Sequence, residues 1–270
     1  MYSLKNKVVF ITGASSGIGK ALAKEFTLLG ANLFLCARRI ERLEILKQEL
    51  SSFGNKIIVL ACDITKEDEL DNVVARALTE MGSIDIVIAN AGFGVSGNLE
   101  DLSLKDYRFQ FETNVFGVLR TIYATLEALR KTKGSLVLIG SVAGYVGLPE
   151  ASAYSMSKFS IHALAQALYH ELRPYGIAVT QISPGFVESE IRQVDNEGRH
   201  HANTKDPTPQ YIVMPVQKAA RQIVKAIKKK KRVAVITIHG KIVVFFQRHF
   251  PWLVDFMISL FSIKNRPEPK

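Results

Sequence analysis

Seven short apolar runs, rich in β-branched residues, alternate with longer segments whose apolar positions recur at helical spacing. The runs cover 7–12, 32–37, 56–62, 84–89, 135–140, 177–183 and 232–237. The helical segments cover 17–29, 39–53, 66–81, 104–131 (read as two helices), 152–175 and 216–229. Unbroken apolar strands are what a parallel sheet needs when helices cover both of its faces. Strict strand–helix alternation therefore predicts an α/β fold on one doubly wound parallel sheet of about seven strands. Two stretches break the pattern. Residues 186–214 are polar, carry Pro207 and Pro209, and read as a loop over a site. Residues 239–263 form an apolar extension interrupted at Pro251.

With no internal repeat and no low-complexity linker, the chain reads as one domain, with 1–238 as its body and 239–270 as a helical extension. A composition of 47% hydrophobic and 22% charged residues is that of a globular protein, not a disordered one. Cys36 and Cys62 sit in strand-like runs without disulfide or metal spacing. They read as buried thiols of a reducing compartment, hence a cytoplasmic protein. The first residues are too few and too polar for a signal peptide, and no apolar run reaches the ~20 residues of a bilayer span. The net charge of +10 is lopsided: residues 216–270 hold 13 basic and 2 acidic side chains, which leaves 22 basic and 23 acidic elsewhere.

The first strand runs into Gly13, and Gly17-Ile18-Gly19 opens the first helix. Glycines there let the backbone turn tightly and approach a pyrophosphate, which the positive end of the helix favours. The second strand decides which nucleotide fits. A site for NAD(H) places an acid near its end, to accept from the ribose 2′-hydroxyl. This strand ends Ala37-Arg38-Arg39 instead. A guanidinium repels no 2′-phosphate and can grip one with two hydrogen bonds. NADP(H) is therefore expected in preference to NAD(H), with Arg38 as the main contact and Ser15 or Arg39 assisting.

Tyr154 and Lys158 are four residues apart, one turn along the same helix face, and Tyr154 lies thirteen residues beyond Ser141. A phenol with a pKa of about 10 is a poor base at neutral pH, and an ammonium one turn away is expected to lower it. Reaching about 7 takes roughly 4 kcal/mol, which one close charge in a dry cleft can supply.

Taken together, Thr12-Gly13-Ala14-Ser15-Ser16-Gly17-Ile18-Gly19, Cys62-Asp63-Ile64, Asn90-Ala91-Gly92, Asn114, Ser141, Tyr154 with Lys158, and Pro184-Gly185 with Ser189 resemble the short-chain dehydrogenase/reductase family. The likeness spans roughly 6–237 and implies a Rossmann-type fold with hydride transfer to or from a nicotinamide. It implies that Tyr154 passes a proton to or from the substrate oxygen and that Lys158 lowers the Tyr154 pKa and binds the nicotinamide ribose. It also implies that Ser141 donates to the substrate oxygen and that Asn114 holds a water relaying protons to Lys158. Asp63 would meet the adenine region, with Asn90, Ala91, Gly92, Pro184, Gly185 and Val187 around the nucleotide. Ser189 would stand near the nicotinamide amide, where the family usually has Thr.

The substrate side offers Phe93, Val95, Tyr145 and Phe186, with Val142, Val146 and Leu148 nearby, and little fixed charge. An apolar pocket suggests a hydrophobic, lipid- or steroid-like carbonyl or alcohol rather than a sugar. The tail resembles the hydroxysteroid- and retinol-reductase branch of the family. It either closes the cleft or a subunit contact, or lies on a membrane surface, where Lys228–Arg232 would suit anionic lipid. No base-reading motif accompanies that basic run, so nucleic acid is not expected. His200 and His201 lack a third ligand at useful spacing and are expected to face solvent rather than a metal. The resemblance implies a homodimer through 104–131 and 152–175, and the tail leaves tetramer formation open. A cofactor-binding scaffold or sensor with incidental catalysis is the alternative; the intact Asn114, Ser141, Tyr154 and Lys158 argue against it.

Overall fold

The computed structural model describes residues 3–199, 201 and 208–264. Val8–Thr12 (β1), Asn32–Ala37 (β2), Ile57–Ala61 (β3), Ile86–Ala89 (β4), Ser135–Ile139 (β5), Ala178–Ser183 (β6) and Val233–Val235 (β7) pair in parallel throughout. Their order across the sheet is β3-β2-β1-β4-β5-β6-β7. Successive residues of a strand point to opposite faces, and here both faces end in apolar contact. Val9 and Ile11 join one buried cluster with Leu22 and Phe26 of α1 (Gly17–Leu28), Leu43 and Leu46 of α2 (Ile40–Leu50), and Ile223 and Ile227 of α7 (Val216–Lys228). Phe10 joins the other, with Val73 and Val74 of α3 (Glu67–Met81), Ile122 and Leu129 of α5 (Gly117–Thr132), and Ile161 of α6 (Ser152–Glu171). This is the doubly wound, Rossmann-like α/β fold. The strand order reverses at β1 and β4, and the crevice at such a point, at the carboxyl ends of the strands, is where ligands bind in open sheets of this kind.

The segment 104–131 contains α4 (Leu104–Phe111) and α5, as two helices, but they are joined without a break by a π-helical turn, Glu112–Phe116. One inserted residue widens the hydrogen-bond ladder there, a feature often found at functional sites. Within 186–214 the described residues form two short 3-10 turns, Glu190–Gln193 and Gln210–Ile212, and Val187 pairs with Met214. The apolar extension is two helices, α8 (Ile238–His249) and α9 (Pro251–Lys264), meeting at Pro251. Thr237 caps α8 by accepting from the Gly240 N–H at 3.1 Å. No described helix is long and apolar enough to cross a membrane.

Candidate active site

At the carboxyl ends of the central strands, one cleft of about 450 Å³ runs from the Gly13 turn to Tyr154. Its nucleotide end is built by close approach. Gly13 has φ +66°, and a side chain there would stand 2.7 Å from the Ala91 Cα; at Gly19 it would stand 2.4 Å from the Gly13 carbonyl oxygen. Asn90 ties the turn down, donating from Nδ2 to the Thr12 and Gly13 carbonyls at 3.0 and 3.1 Å. The Thr12 hydroxyl accepts from the Asn90 and Ala91 N–H groups at 3.1 and 3.2 Å. The backbone is thereby held open at the N-terminus of α1, where the helix dipole favours an anion. A cradle that any side chain would fill fits a dinucleotide's pyrophosphate.

At the ribose corner, Arg39 donates from Nη2 to the Ser16 and Ser15 hydroxyls at 3.0 and 3.3 Å. Arg38 also borders the cleft but is exposed, and Arg39 is the guanidinium fixed against the glycine turn. Asp63 borders the cleft too, its Oδ1 accepting from the Thr65 N–H and hydroxyl at 3.0 and 2.8 Å.

At the other end, Ser141, Tyr154 and Lys158 line the same wall. The Ser141 oxygen accepts from the Ala143 N–H at 3.1 Å, which leaves its proton for an oxygen in the cleft. Lys158 is buried, and its Nζ donates to the Ile139 carbonyl at 3.1 Å. Burial alone lowers the Lys158 pKa to about 8. The Tyr154 pKa is raised, chiefly by burial, although a hydrogen bond from Ser141 and the charge of Arg192 both act to lower it. This departs from the expected lowering by Lys158: the ammonium is turned to a carbonyl and sits 5.6 Å from the centre of the Tyr154 ring. Desolvation of the phenolate is the stronger effect.

Asn114 lies in the π turn, buried behind the cleft. Its Nδ2 donates to the Phe93 carbonyl at 3.0 Å and the Ser157 hydroxyl at 3.2 Å, and its Oδ1 accepts from the Phe93 N–H at 3.1 Å. Both amide hydrogens are engaged, so the side chain fixes the Gly92–Phe93 corner, and a water held there would donate to an Asn114 oxygen.

The structure brings Gly13, Ser15, Ser16, Gly17, Ile18, Asn90, Ala91, Gly92, Phe93, Pro184, Gly185, Val187 and Ser189 to the cleft wall. Gly19 packs beneath the turn. Three of the residues expected on the substrate side stand back from the cleft wall or at its edge. Val95 is fully buried, its N–H bonded to Gln110 at 2.6 Å. Tyr145 is buried against His162, ring centres 4.3 Å apart, and Phe186 packs on His239 at 5.5 Å. Of the histidine pair, His201 lies 2.6 Å from Asp195, and His200 is outside the described residues.

Sequence reasoning missed Arg42, Glu190, Arg192 and His239. Arg192 borders the cleft beside Tyr154, and His239 accepts the Phe186 N–H at 3.0 Å, which brings α8 to the site's edge. Glu190 and Arg192 flank the noticed Ser189 closely, but their partners are more than a hundred residues or a whole turn away, and no local pattern marks such pairs.

Comparison with known proteins bears on the same residues. The family model for short chain dehydrogenase matches residues 7–200. A dehydrogenase/reductase SDR family protein 7-like of Dictyostelium discoideum is 31% identical, over 96% of this chain and 83% of its own. Dehydrogenase/reductase SDR family member 7B of Xenopus laevis is 34% identical, over 80% of this chain and 71% of its own. Among solved structures, an alcohol dehydrogenase from Thermococcus sibiricus complexed with 5-hydroxy-NADP superposes with TM-score 0.76 at 27% identity, covering 86% of this chain and 97% of that one. A short chain dehydrogenase/reductase from Burkholderia phymatum in complex with NAD has the same fold, TM-score 0.79 at 22% identity, covering 100% and 99%. With the glycine turn, the Ser141–Tyr154–Lys158 wall and these relatives in agreement, the chain belongs to the short-chain dehydrogenase/reductase family, as an NAD(P)-dependent oxidoreductase.

Proposed function

We propose that the protein is an NADP(H)-dependent reductase of a hydrophobic ketone, of lipid- or steroid-like character. The observation that carries this reading is the cleft itself, with Arg39 and two serine hydroxyls at one end and Ser141, Tyr154 and Lys158 at the other. When bound, the cofactor supplies the hydride. Arg39, Arg38, Ser15 and Ser16 would hold its 2′-phosphate, and Asp63 its adenine side. The Gly13–Gly19 turn would hold its pyrophosphate, with Asn90, Ala91, Gly92, Pro184, Gly185, Val187 and Ser189 around the rest. Lys158 would hold the nicotinamide ribose.

Tyr154 gives its proton to the substrate oxygen as negative charge develops there, and Ser141 donates to the same oxygen. Tyr154 is protonated at neutral pH, as a proton donor in reduction must be, and the Ser141 hydrogen bond and the Arg192 charge favour the phenolate left behind. Lys158 then offers its charge to the phenolate that remains, and Asn114 keeps the Phe93 corner in place. Phe93, Ile139, Val187 and Val194 line the cleft, which supports an apolar substrate. NADPH oxidation against a panel of carbonyls tests this: turnover is expected on hydrophobic ketones, and turnover only on small polar ones would refute the apolar reading.

The two cysteines, unpaired and buried, support a cytoplasmic protein. Exposed Leu104, Phe116, Tyr123, Met156 and Phe159 on the α4–α6 side support a homodimer through those helices. A second reading concerns the extension. Gly240 packs against Val142, next to Ser141, which supports α8 as a cover for the cleft's edge, whereas Trp252, Phe256, Met257 and Leu260 of α9 are exposed. An apolar helix too short to span, next to Lys241 and Arg248, supports peripheral contact with an anionic membrane. Sedimentation with anionic liposomes at low and high salt tests it: salt-sensitive binding is expected, and none by the full chain would refute it.

A further inference from the structure

The turn after β6 brings a carboxylate into the nucleotide end of the cleft. Glu190 opens the Glu190–Gln193 turn directly after Ser189. Its Oε2 accepts from Arg39 Nη1 at 3.2 Å, and its two oxygens accept from Arg42 Nη1 at 2.9 and 2.7 Å. Arg39 meanwhile donates from its other terminal nitrogen to Ser16 and Ser15. The guanidinium thus has one nitrogen on the glycine turn and the other on a carboxylate. Glu190, Arg39 and both serines border the same cleft. The three charged side chains are each about one-third exposed, at 33%, so water and an incoming ligand can reach the pair.

We propose that Glu190 is an internal stand-in for phosphate: its carboxylate occupies the anion seat of Arg39, so a nucleotide's 2′-phosphate must displace it, and Glu190 thereby sets how strongly the site prefers phosphorylated cofactor. This rests on the NADP(H) reading above. Carboxylate and phosphate both take the fork of N–H donors on a guanidinium, and two anions at one seat repel each other. A cofactor without the 2′-phosphate leaves the ion pair undisturbed. Burial alone would raise the Glu190 pKa, but Arg42 and Arg39 outweigh it and hold the carboxyl below its ordinary value, so the competitor is charged at neutral pH. The same turn carries Arg192, whose Nη2 donates to the Val187 carbonyl at 3.4 Å and whose charge favours the Tyr154 phenolate.

Calorimetric titration with adenosine 2′,5′-bisphosphate and with 5′-AMP separates the cases without relying on turnover. Glu190→Gln is expected to bind the bisphosphate about five-fold tighter, the scale of one part-exposed ion pair, with 5′-AMP unchanged. The gain should shrink in high salt and vanish in Arg39→Gln/Glu190→Gln. Glu190→Asp, which keeps the charge for Arg42 but shortens the reach to Arg39, should show a smaller gain of the same sign. If both Glu190 variants bind the bisphosphate no better than wild type, while wild type prefers it to 5′-AMP, the inference falls and the NADP(H) reading stands. A wild type without that preference, whose Glu190→Gln variant gains none, overturns both.

Discussion

Lys158 Nζ lies 5.6 Å from the centre of the Tyr154 ring and gives its hydrogen bond to the Ile139 carbonyl instead, at 3.1 Å. The two side chains share a cleft wall, yet each bears the consequence of burial separately, Tyr154 with a raised pKa and Lys158 with one lowered to about 8. The Ile139 carbonyl does not offset the desolvation of the Lys158 ammonium.

That ammonium has a measurable effect on stability. Below about pH 8 the lysine is charged in both the folded and unfolded chain, and the folded state carries the full desolvation penalty. Between about 8 and the ordinary value of 10.5 the unfolded chain binds more protons, so stability rises with pH across that window. Lys158→Met is therefore expected to melt higher than wild type at pH 7 without cofactor, by at most about 3 to 4 kcal/mol in stability, the fall from 10.5 to about 8 converted at about 1.4 kcal/mol per tenfold. The advantage should fade towards pH 10.5. Thermal melts of both proteins over pH 7 to about 10 check the sign.

Charge reversal at the ribose corner should act on one cofactor only. Arg39→Asp is expected to weaken NADPH binding about 10- to 100-fold, the range of one lost charged hydrogen-bond partner, with little loss for NADH. Arg38→Asp should do less, because Arg38 is exposed and Arg39 is held on Ser15 and Ser16. Fluorescence titration with each nucleotide distinguishes the two arginines.

Gly19→Ala tests the cradle. The added methyl would stand 2.4 Å from the Gly13 carbonyl and 2.6 Å from Asn90 Nδ2, and Asn90 is itself tied to the turn. Overpacking of this kind costs about 1–3 kcal/mol of stability, and nucleotide binding should weaken with it. Chemical denaturation alongside NADPH titration reads both; a variant with unaltered stability and affinity would contradict the packing.

The sheet was legible because most of its strands are nearly continuous apolar runs, the pattern that burial on both faces favours. Gly13, Gly17 and Gly19 were legible for a similar reason, since close backbone approach leaves its mark as an absent side chain. Relationships between distant charged groups left no such mark. Arg39 and Glu190 are 151 residues apart, and the turn that joins them follows the backbone pairing of Val187 with Met214. The spacing of Tyr154 and Lys158 put both on one helix face but could not say where the ammonium points, which depends on the Ile139 carbonyl at the end of β5. Val95 and Tyr145 looked like pocket residues by position, and both are buried, with Gln110 bonded to the Val95 N–H and His162 against the Tyr145 ring.

Single-turnover oxidation of bound NADPH by a hydrophobic ketone, comparing wild type with Tyr154→Phe, bears most directly on the role of the phenol. The variant keeps the ring and the cleft and loses only the proton donor. NADPH should bind it as before, and the rate should fall by about 10²- to 10⁴-fold, the range of a lost general acid. A variant that oxidises NADPH at the wild-type rate would contradict the account.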